Sequence, residues 1–293
     1  MKKNLFYILM FFFAMPLFVA CEEDEDKDDD EATEQKIDFE DFTYLLDLEY
    51  NTAEIVSYNG KEDTVVVPAS VKYNSIRYSI EEIGSKAFEA NSAIKVVVIE
   101  EGIEEIGVWA FAHCDSLKTV TLPNSLTELS ASMFYKCKNL ENVTIPSQIT
   151  EIPAHTFAFC ESMTQVDLPE MVDKVKANAF YGCKNVEKIF MRKGFSSKPL
   201  EIGSFAFAGC YKITEIWCYD SIPPKMPVSL AADKKTKVLT QFSVDSINIK
   251  NNNSLVVYVP DEHKTRHRKD SWGDPEVWTE YLKVARSRIK SIP

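Results

Sequence analysis

Apolar positions recur along this chain with a fixed step. Three copies of one pattern run head to tail: IGVWAFAHCDSLKTVTLP (Ile106 to Pro123), LSASMFYKCKNLENVTIP (Leu129 to Pro146) and IPAHTFAFCESMTQVDLP (Ile152 to Pro169). Each copy opens on an aliphatic residue. Phe, Cys, a second apolar residue and a Val-x-aliphatic-Pro ending then follow at constant offsets. Phe88, Phe111, Phe134, Phe157 and Phe180 lie 23 residues apart, and Phe207 follows after 27. Self-similarity at a period of roughly 20–50 residues is the signature of a solenoid, which grows by stacking coils and never closes a single core. In each repeat the segment Leu-x-x-Val-x-Leu-Pro, clearest as Leu117, Val120, Leu122 and Pro123, alternates as a strand with one buried face should. Stacked coils then form a parallel sheet with one strand per repeat. The Ala-Phe-x-x-Cys part (Ala110, Phe111, Cys114) has spacings of one and three, which predicts a helical or 3₁₀ turn on the opposite side.

The repeats proper span 80–219, and both flanks depart from them. Residues 37–79 carry two β-rich runs, Ala53 to Tyr58 and Thr64 to Val67, on either side of Asn59-Gly60, a strong hairpin signal. Val65-Val66-Val67-Pro68 nevertheless repeats the terminal pattern. This region is read as an N-terminal β cap over the exposed edge of the first coil. At the other end, Ile222-Pro223-Pro224 stops the repeat and residues 225–253 form a charged, Asn-rich excursion (Asp233 to Lys237, Asn251 to Asn253). Leu255 to Pro260 then restores one strand. Trp272, Trp278, Tyr281 and Leu282 follow in a stretch that reads as helical and as a cover for the last open edge, so 220–293 forms a final strand and C-terminal cap. Within the array, the fifth copy ends at Met191 without its Pro, and a four-residue insertion around Phe195 to Pro199 precedes the sixth.

These residues carry a family resemblance. The pattern L-x-x-I-x-x-x-A-F-x-x-C-x-x-L-x-x-V-x-L-P, met in five or six copies over about half the chain, resembles the leucine-rich repeats of the BspA-like, or Treponema pallidum type, family. The Pro-Pro, Val-Pro and Trp succession at the C-terminus is similar to the end caps of that family. The resemblance implies a β-rich solenoid of 23-residue leucine-rich repeats with a parallel sheet on one face, capped at both ends. It also implies a recognition or adhesion role at a bacterial surface.

Composition adds a destination. Of 293 residues, 45% are apolar and 27% charged, ordinary values for a folded soluble protein. The formal net charge of −12 argues against a nucleic-acid partner, because phosphate binding wants a basic face. Lys2 and Lys3 precede an apolar run, Leu5 to Ala20, which is short for a membrane span and ends on a small residue, as a signal peptide over 1–20 does. Phe18-Val19-Ala20-Cys21 resembles a bacterial lipobox, in which Cys21 is lipidated and becomes the new first residue. Such an anchor holds through acyl chains buried in a leaflet. The run from Glu22 to Glu31 is so dense in like charge that it repels itself, so 21–36 is read as an acidic, disordered tether. Acidic residues behind the lipidated Cys also resemble the surface-export signal of Bacteroidetes lipoproteins, which places the chain on the outer face of the outer membrane. Most of the acidic excess belongs to this tether.

Candidate chemistry is sparse. Cys114, Cys137, Cys160, Cys183 and Cys210 occupy one repeat position and Cys218 a Leu position. A line of thiols does not converge on a tetrahedral metal site. Strand spacing of about 4.8 Å admits inter-coil disulfides by Cα distance but leaves the Cβ atoms too far apart for a relaxed bridge. The reading that remains foremost is a small buried hydrophobe packing a tight turn. His113 and His155 lie at variable repeat positions. His263 and His267 have helical metal-pair spacing but sit among Lys264, Arg266, Arg268 and Lys269. No Gly-rich phosphate loop is present, so neither cofactor nor metal nor catalytic group is assigned.

The register exposes one surface. The residue between the last two buried strand positions points outward; along the stack it is Val66, Val98, Thr121, Thr144, Asp167, Phe190, Trp217 and Tyr258. At about 4.8 Å per strand these line a surface on the order of 30 Å long, aliphatic at first, then small and polar, then aromatic. Exposed aromatics in a row suit a protein or glycan ligand because they offer large contact area at low entropic cost. The competing reading has the 225–253 excursion or the C-terminal cap folded over them as core. The function read from the chain is therefore a lipid-anchored surface module recognising a protein or glycan, with a structural subunit of a surface assembly as the alternative.

Overall fold

The structure, a computed structural model, describes residues 33–193, 199–219, 224, 228–230, 237–239, 255–259 and 289–292. It is a β-solenoid, and no helix occurs among the described residues. Strands β4 (Thr64–Val67), β7 (Val96–Ile99), β9 (Thr119–Thr121) and β10 (Asn142–Val143) form one parallel sheet. Strands β12 (Gln165–Leu168), β14 (Lys188–Met191), β16 (Glu215–Cys218), β19 (Val256–Val259) and β20 (Ile289–Ser291) form a second. Along each strand burial alternates, as in β14, where Ile189 and Met191 are buried and Phe190 is half-buried. The expected register holds. Val66 pairs with Val98 and Val98 with Thr121, while Asp167 pairs with Phe190, Phe190 with Trp217 and Trp217 with Tyr258. The one continuous ladder expected from the repeat is, however, two sheets. β10 pairs with β9 only through Asn142 and Val143, Thr144 falls beyond it, and β12 begins a new sheet. Asn142, a poor strand former, sits where the ladder lapses.

A smaller parallel ladder runs along the flank, made by β11 (Glu151–Ile152), β13 (Lys174–Val175) and β15 (Glu201–Ile202). Between the ladders the core is a column of rings. Phe88, Phe111, Phe134, Phe157, Phe180 and Phe207 are all buried, with successive centroids 4.7 to 5.6 Å apart and interplanar angles of 20° or less. Offset-stacked rings at this spacing add attraction beyond their area. Beside each ring, a Cys thiol donates to the Phe carbonyl of the preceding coil: Cys114 to Phe88, Cys137 to Phe111, Cys160 to Phe134, Cys183 to Phe157 and Cys210 to Phe180, at 3.0–3.3 Å. These thiols are the small buried residues the turn requires. Burial pushes the Cys114 thiol up to about 12, and those of Cys137, Cys160 and Cys210 well above their ordinary value.

The face opposite the strands is a run of tight turns, where a helical or 3₁₀ turn was expected. Its backbone bonds alternate. The N–H groups of Ala110, Ala112 and Cys114 reach back three residues to Gly107, Trp109 and Phe111, whereas those of Trp109, Phe111 and His113 reach forward to Ala131, Met133 and Tyr135 of the next coil. Two residues per coil hold this shape in the left-handed region, among them Trp109 and His113, Ser132 and Lys136, His155 and Phe159, Asn178 and Gly182. Positive φ at both positions interrupts a helix. Side chains tolerate it at a cost of roughly 1–3 kcal/mol each, because the surrounding bonds over-determine it.

The N-terminal cap is a sheet ordered β1 (Glu34–Phe39), β2 (Phe42–Asp47), β3 (Thr52–Tyr58), β6 (Ile76–Ile83) and β5 (Ser70–Tyr73), with β8 (Glu105–Ile106) also on β6. It begins at Glu34, inside the segment assigned to the tether. Asn59-Gly60 is not the expected hairpin, since β3 and β4 belong to different sheets. The chain turns a corner there, with Asn59 N–H bonded to the Asp41 carbonyl and Gly60 packed against the Tyr58 ring, where a Cβ would meet the hydroxyl at 2.2 Å. A real two-residue hairpin lies at Asn74-Ser75, both at positive φ as a type I′ turn demands. The cap continues the ring column, as Tyr58 stacks on Phe88 at 5.2 Å and Phe42 meets Phe88 edge-on. At the other end β19 restores the strand expected from Leu255 to Pro260 and β20 adds one more rung. β17 (Val228–Leu230) and β18 (Lys237–Leu239) form a small antiparallel hairpin within the excursion. The expected Trp272–Leu282 helix and the His263/His267 pair lie outside the described residues.

Candidate recognition surface

The second strand sheet carries an aromatic column on its outward face. In-register parallel strands hold equivalent side chains about 4.8 Å apart, so rings at one position must stack. Phe190 and Trp217 lie 5.9 Å apart at 28°, and Trp217 and Tyr258 lie 3.9 Å apart at 12°. All three are half-buried. The indole of Trp217 thus lies between the Phe190 and Tyr258 rings, so the ring faces are turned to one another. Trp217 Nε1 donates to Glu215 Oε2 at 2.9 Å, and Glu215 in turn pairs with Lys188 at 3.3 Å.

Asp167 anchors the other end. Arg192 donates from Nε to its Oδ1 at 2.5 Å and from Nη2 to its Oδ2 at 2.8 Å, a bidentate fork. That carboxylate holds the guanidinium still higher than its ordinary pKa. The same guanidinium lies over the Phe190 ring at 5.4 Å and the Tyr219 ring at 5.5 Å. Two rings and a carboxylate therefore fix one exposed cation on the rim of the column.

The structure thus brings Asp167, Phe190, Trp217 and Tyr258 together. Thr121 is exposed beside Val98 in the other sheet, Thr144 is exposed beyond β10, and neither reaches the aromatic group. Cys21 lies outside the described residues. Arg192, Tyr219, Glu215 and Lys188 were not foreseen. One signal was available for Arg192: it stands where Pro123, Pro146 and Pro169 stand in other copies. The histidines His113 and His155 sit in separate coils on the turn face, packed among rings. Among the described residues, no group of three or more His, Cys, Asp or Glu side chains is arranged to hold a metal ion.

Parallel strands, a Phe column, a Cys ladder and tight turns define the class, a leucine-rich repeat solenoid. Residues 81–214 match the model of the BspA type leucine rich repeat region in six copies, and the repeat array belongs to that family. Among solved structures, the chain is similar to a T. pallidum leucine-rich repeat protein at 25% identity, covering 65% of this chain and 85% of that one with a TM-score of 0.56. It is also similar to a leucine-rich cell surface protein of Faecalibacterium prausnitzii (24% identity, 78% and 71% covered, TM-score 0.54). A Bacteroides ovatus leucine-rich repeat protein shares the fold at 21% identity and a TM-score of 0.56, with 76% of this chain covering 55% of that one. No curated protein matches the chain.

Proposed function

We propose that this chain is a surface-anchored recognition module whose ligand docks on the second strand sheet. The observation that carries this reading is the column Phe190–Trp217–Tyr258 flanked by the Arg192–Asp167 fork. A protein that needed these positions only to space its coils has small residues available, as Thr121 and Thr144 show. Large rings and an oriented guanidinium are the residues that dominate binding energy at interfaces. The faces of Phe190 and Trp217 are taken up by their neighbours in the column and by the Arg192 guanidinium, which leaves little open ring face. That suits a protein or peptide ligand better than a sugar ring, which stacks flat on an aromatic face. Binding, not catalysis, is the activity.

The location is read from Cys21 as lipid acceptor and from the acidic run behind it, and the printed description of the F. prausnitzii relative, a cell surface protein, is in keeping with it. Protease shaving of intact cells is expected to remove the repeat array; protection of the chain until the cells are lysed would overturn the surface assignment. For the site, Trp217→Ala is expected to abolish ligand capture while leaving the melting transition cooperative. A stable co-purifying lipoprotein partner unaffected by Trp217→Ala would instead make the chain an accessory subunit.

A further inference from the structure

The outward row of the second strand sheet does not end at Tyr258. β20 pairs with β19 so that Lys290 stands beside Tyr258, and the row reads Asp167, Phe190, Trp217, Tyr258, Lys290 in unbroken register. Lys290 is exposed. The other cations of this surface are held in place, Arg192 by Asp167 and Lys188 by Glu215. Among the described residues no carboxylate pairs with Lys290, and neither β19 nor β20 contains Asp or Glu. Three cations thus accompany two carboxylates on this surface, in a chain whose formal net charge is −12.

We infer that this surface takes an extended, acidic segment of another protein, laid across the strands with apolar side chains on the ring column and a carboxylate on Lys290. The inference rests on the recognition reading above and adds the charge and spacing of the ligand. Rings supply contact area without preference for sign, so the charge at the end of the row sets the sign. A ligand that covers Tyr258 strips water from the neighbouring ammonium, and that loss is offset only where the ligand brings an opposite charge. A basic segment would set like charges against each other there. The Arg192–Asp167 fork at the far end is already neutral as a pair and exerts no such selection, so the segment has one fixed direction along the row.

Geometry sets the spacing. Lys290 lies two strands beyond Trp217, roughly 10 Å at about 4.8 Å per strand, and an extended segment advances about 3.3 Å per residue. The carboxylate is therefore expected about three residues from the apolar residue that covers the indole. A side-chain carboxylate and the carboxylate of a free C-terminus both satisfy this chemistry.

An array of short randomised peptides, each made as the free acid and as the C-terminal amide, tests this with the full-length chain. Hyaluronan, a carboxylate-bearing glycan, is spotted beside them. Bound peptides are expected to carry Asp or Glu about three residues from an aromatic or aliphatic residue; binding of the free acids alone identifies the C-terminal carboxylate as the group recognised. Lys290→Gln is expected to weaken the bound peptides about fivefold at low salt and to remove most of their salt dependence, whereas Lys290→Arg retains both. Lys290→Glu is expected to select peptides with Lys or Arg at the same position, a change that loss of folding cannot produce. Peptides that require Trp217 but show no preference for a carboxylate overturn this inference and leave the recognition surface standing. Acidic peptides indifferent to Trp217→Ala overturn both. An array without bound peptides, or one on which hyaluronan is preferred, overturns the inference too.

Discussion

Each coil from Phe111 to Phe207 fills its buried volume with one Phe and one Cys, and these two residues hold the stack together by different means. The Phe ring supplies area and ring–ring contact, while the Cys thiol, too small to clash with the turn, satisfies the carbonyl one coil back. Phe134→Ala, in the middle of the column, opens a cavity between two neighbours and is expected to cost about 3–5 kcal/mol in urea unfolding. Cys137→Ala removes a few buried atoms and leaves the Phe111 carbonyl without its thiol donor; about 1–2 kcal/mol is expected. Burial that holds the thiol of Cys114 near 12 also keeps it from being a nucleophile at neutral pH. Cys114, Cys137, Cys160, Cys183, Cys210 and Cys218 are therefore expected to stay unlabelled by maleimide until the chain unfolds. Labelling under native conditions would contradict their placement.

At the scale of the element, the flank and the cap carry the electrostatic tension. Glu54, Glu82 and Glu105 stand side by side on β3, β6 and β8. Glu34, Asp47 and Glu81 line the same shallow hollow beside Glu54 and Glu82. Burial, then the Glu54 and Glu105 charges, raise the Glu82 carboxyl above its ordinary value; burial, then Glu34, raise Glu54. A carboxyl whose folded pKa is raised favours folding below the unfolded pKa and loses that contribution as pH climbs through the folded value. The protein is therefore expected to melt higher at mildly acidic pH than at neutral pH. Glu82→Gln is expected to stabilise it by about 0.5 kcal/mol at pH 7 and to flatten that dependence; no change in the pH profile would remove the tension from the account.

Strand elements and their register were legible because a period of 23 residues fixes which side chain faces in, and Val66, Val98, Phe190, Trp217 and Tyr258 fell where the alternation put them. The turn face was not legible in the same way. Trp109, His113 and Phe159 occupy left-handed backbone without being glycine, so nothing in their identity announced a turn in place of a helix. The hairpin misread at Asn59-Gly60 has the same origin: a local turn signal was overridden by the packing of Gly60 against Tyr58. Of the candidate site, the column was readable and its clamp was not, because Arg192 enters as a departure from the repeat and reaches Asp167 across 25 residues of sequence.

For the whole molecule, the parts divide the labour. The Phe and Cys columns stack the coils, the cap covers one end of the stack, and the proposed recognition site lies where the repeat loosens, on the second strand sheet. The central claim is that this sheet binds a protein. Its most direct test is display of the full-length chain against paired arrays of extracellular proteins and of glycans, with Arg192→Ala and Phe159→Ala run beside it. Signals are expected on protein features, reduced at least tenfold by Arg192→Ala, the equivalent of about 1.4 kcal/mol, and unchanged by Phe159→Ala on the opposite face. Signals confined to glycans, or protein signals indifferent to Arg192→Ala, would contradict it.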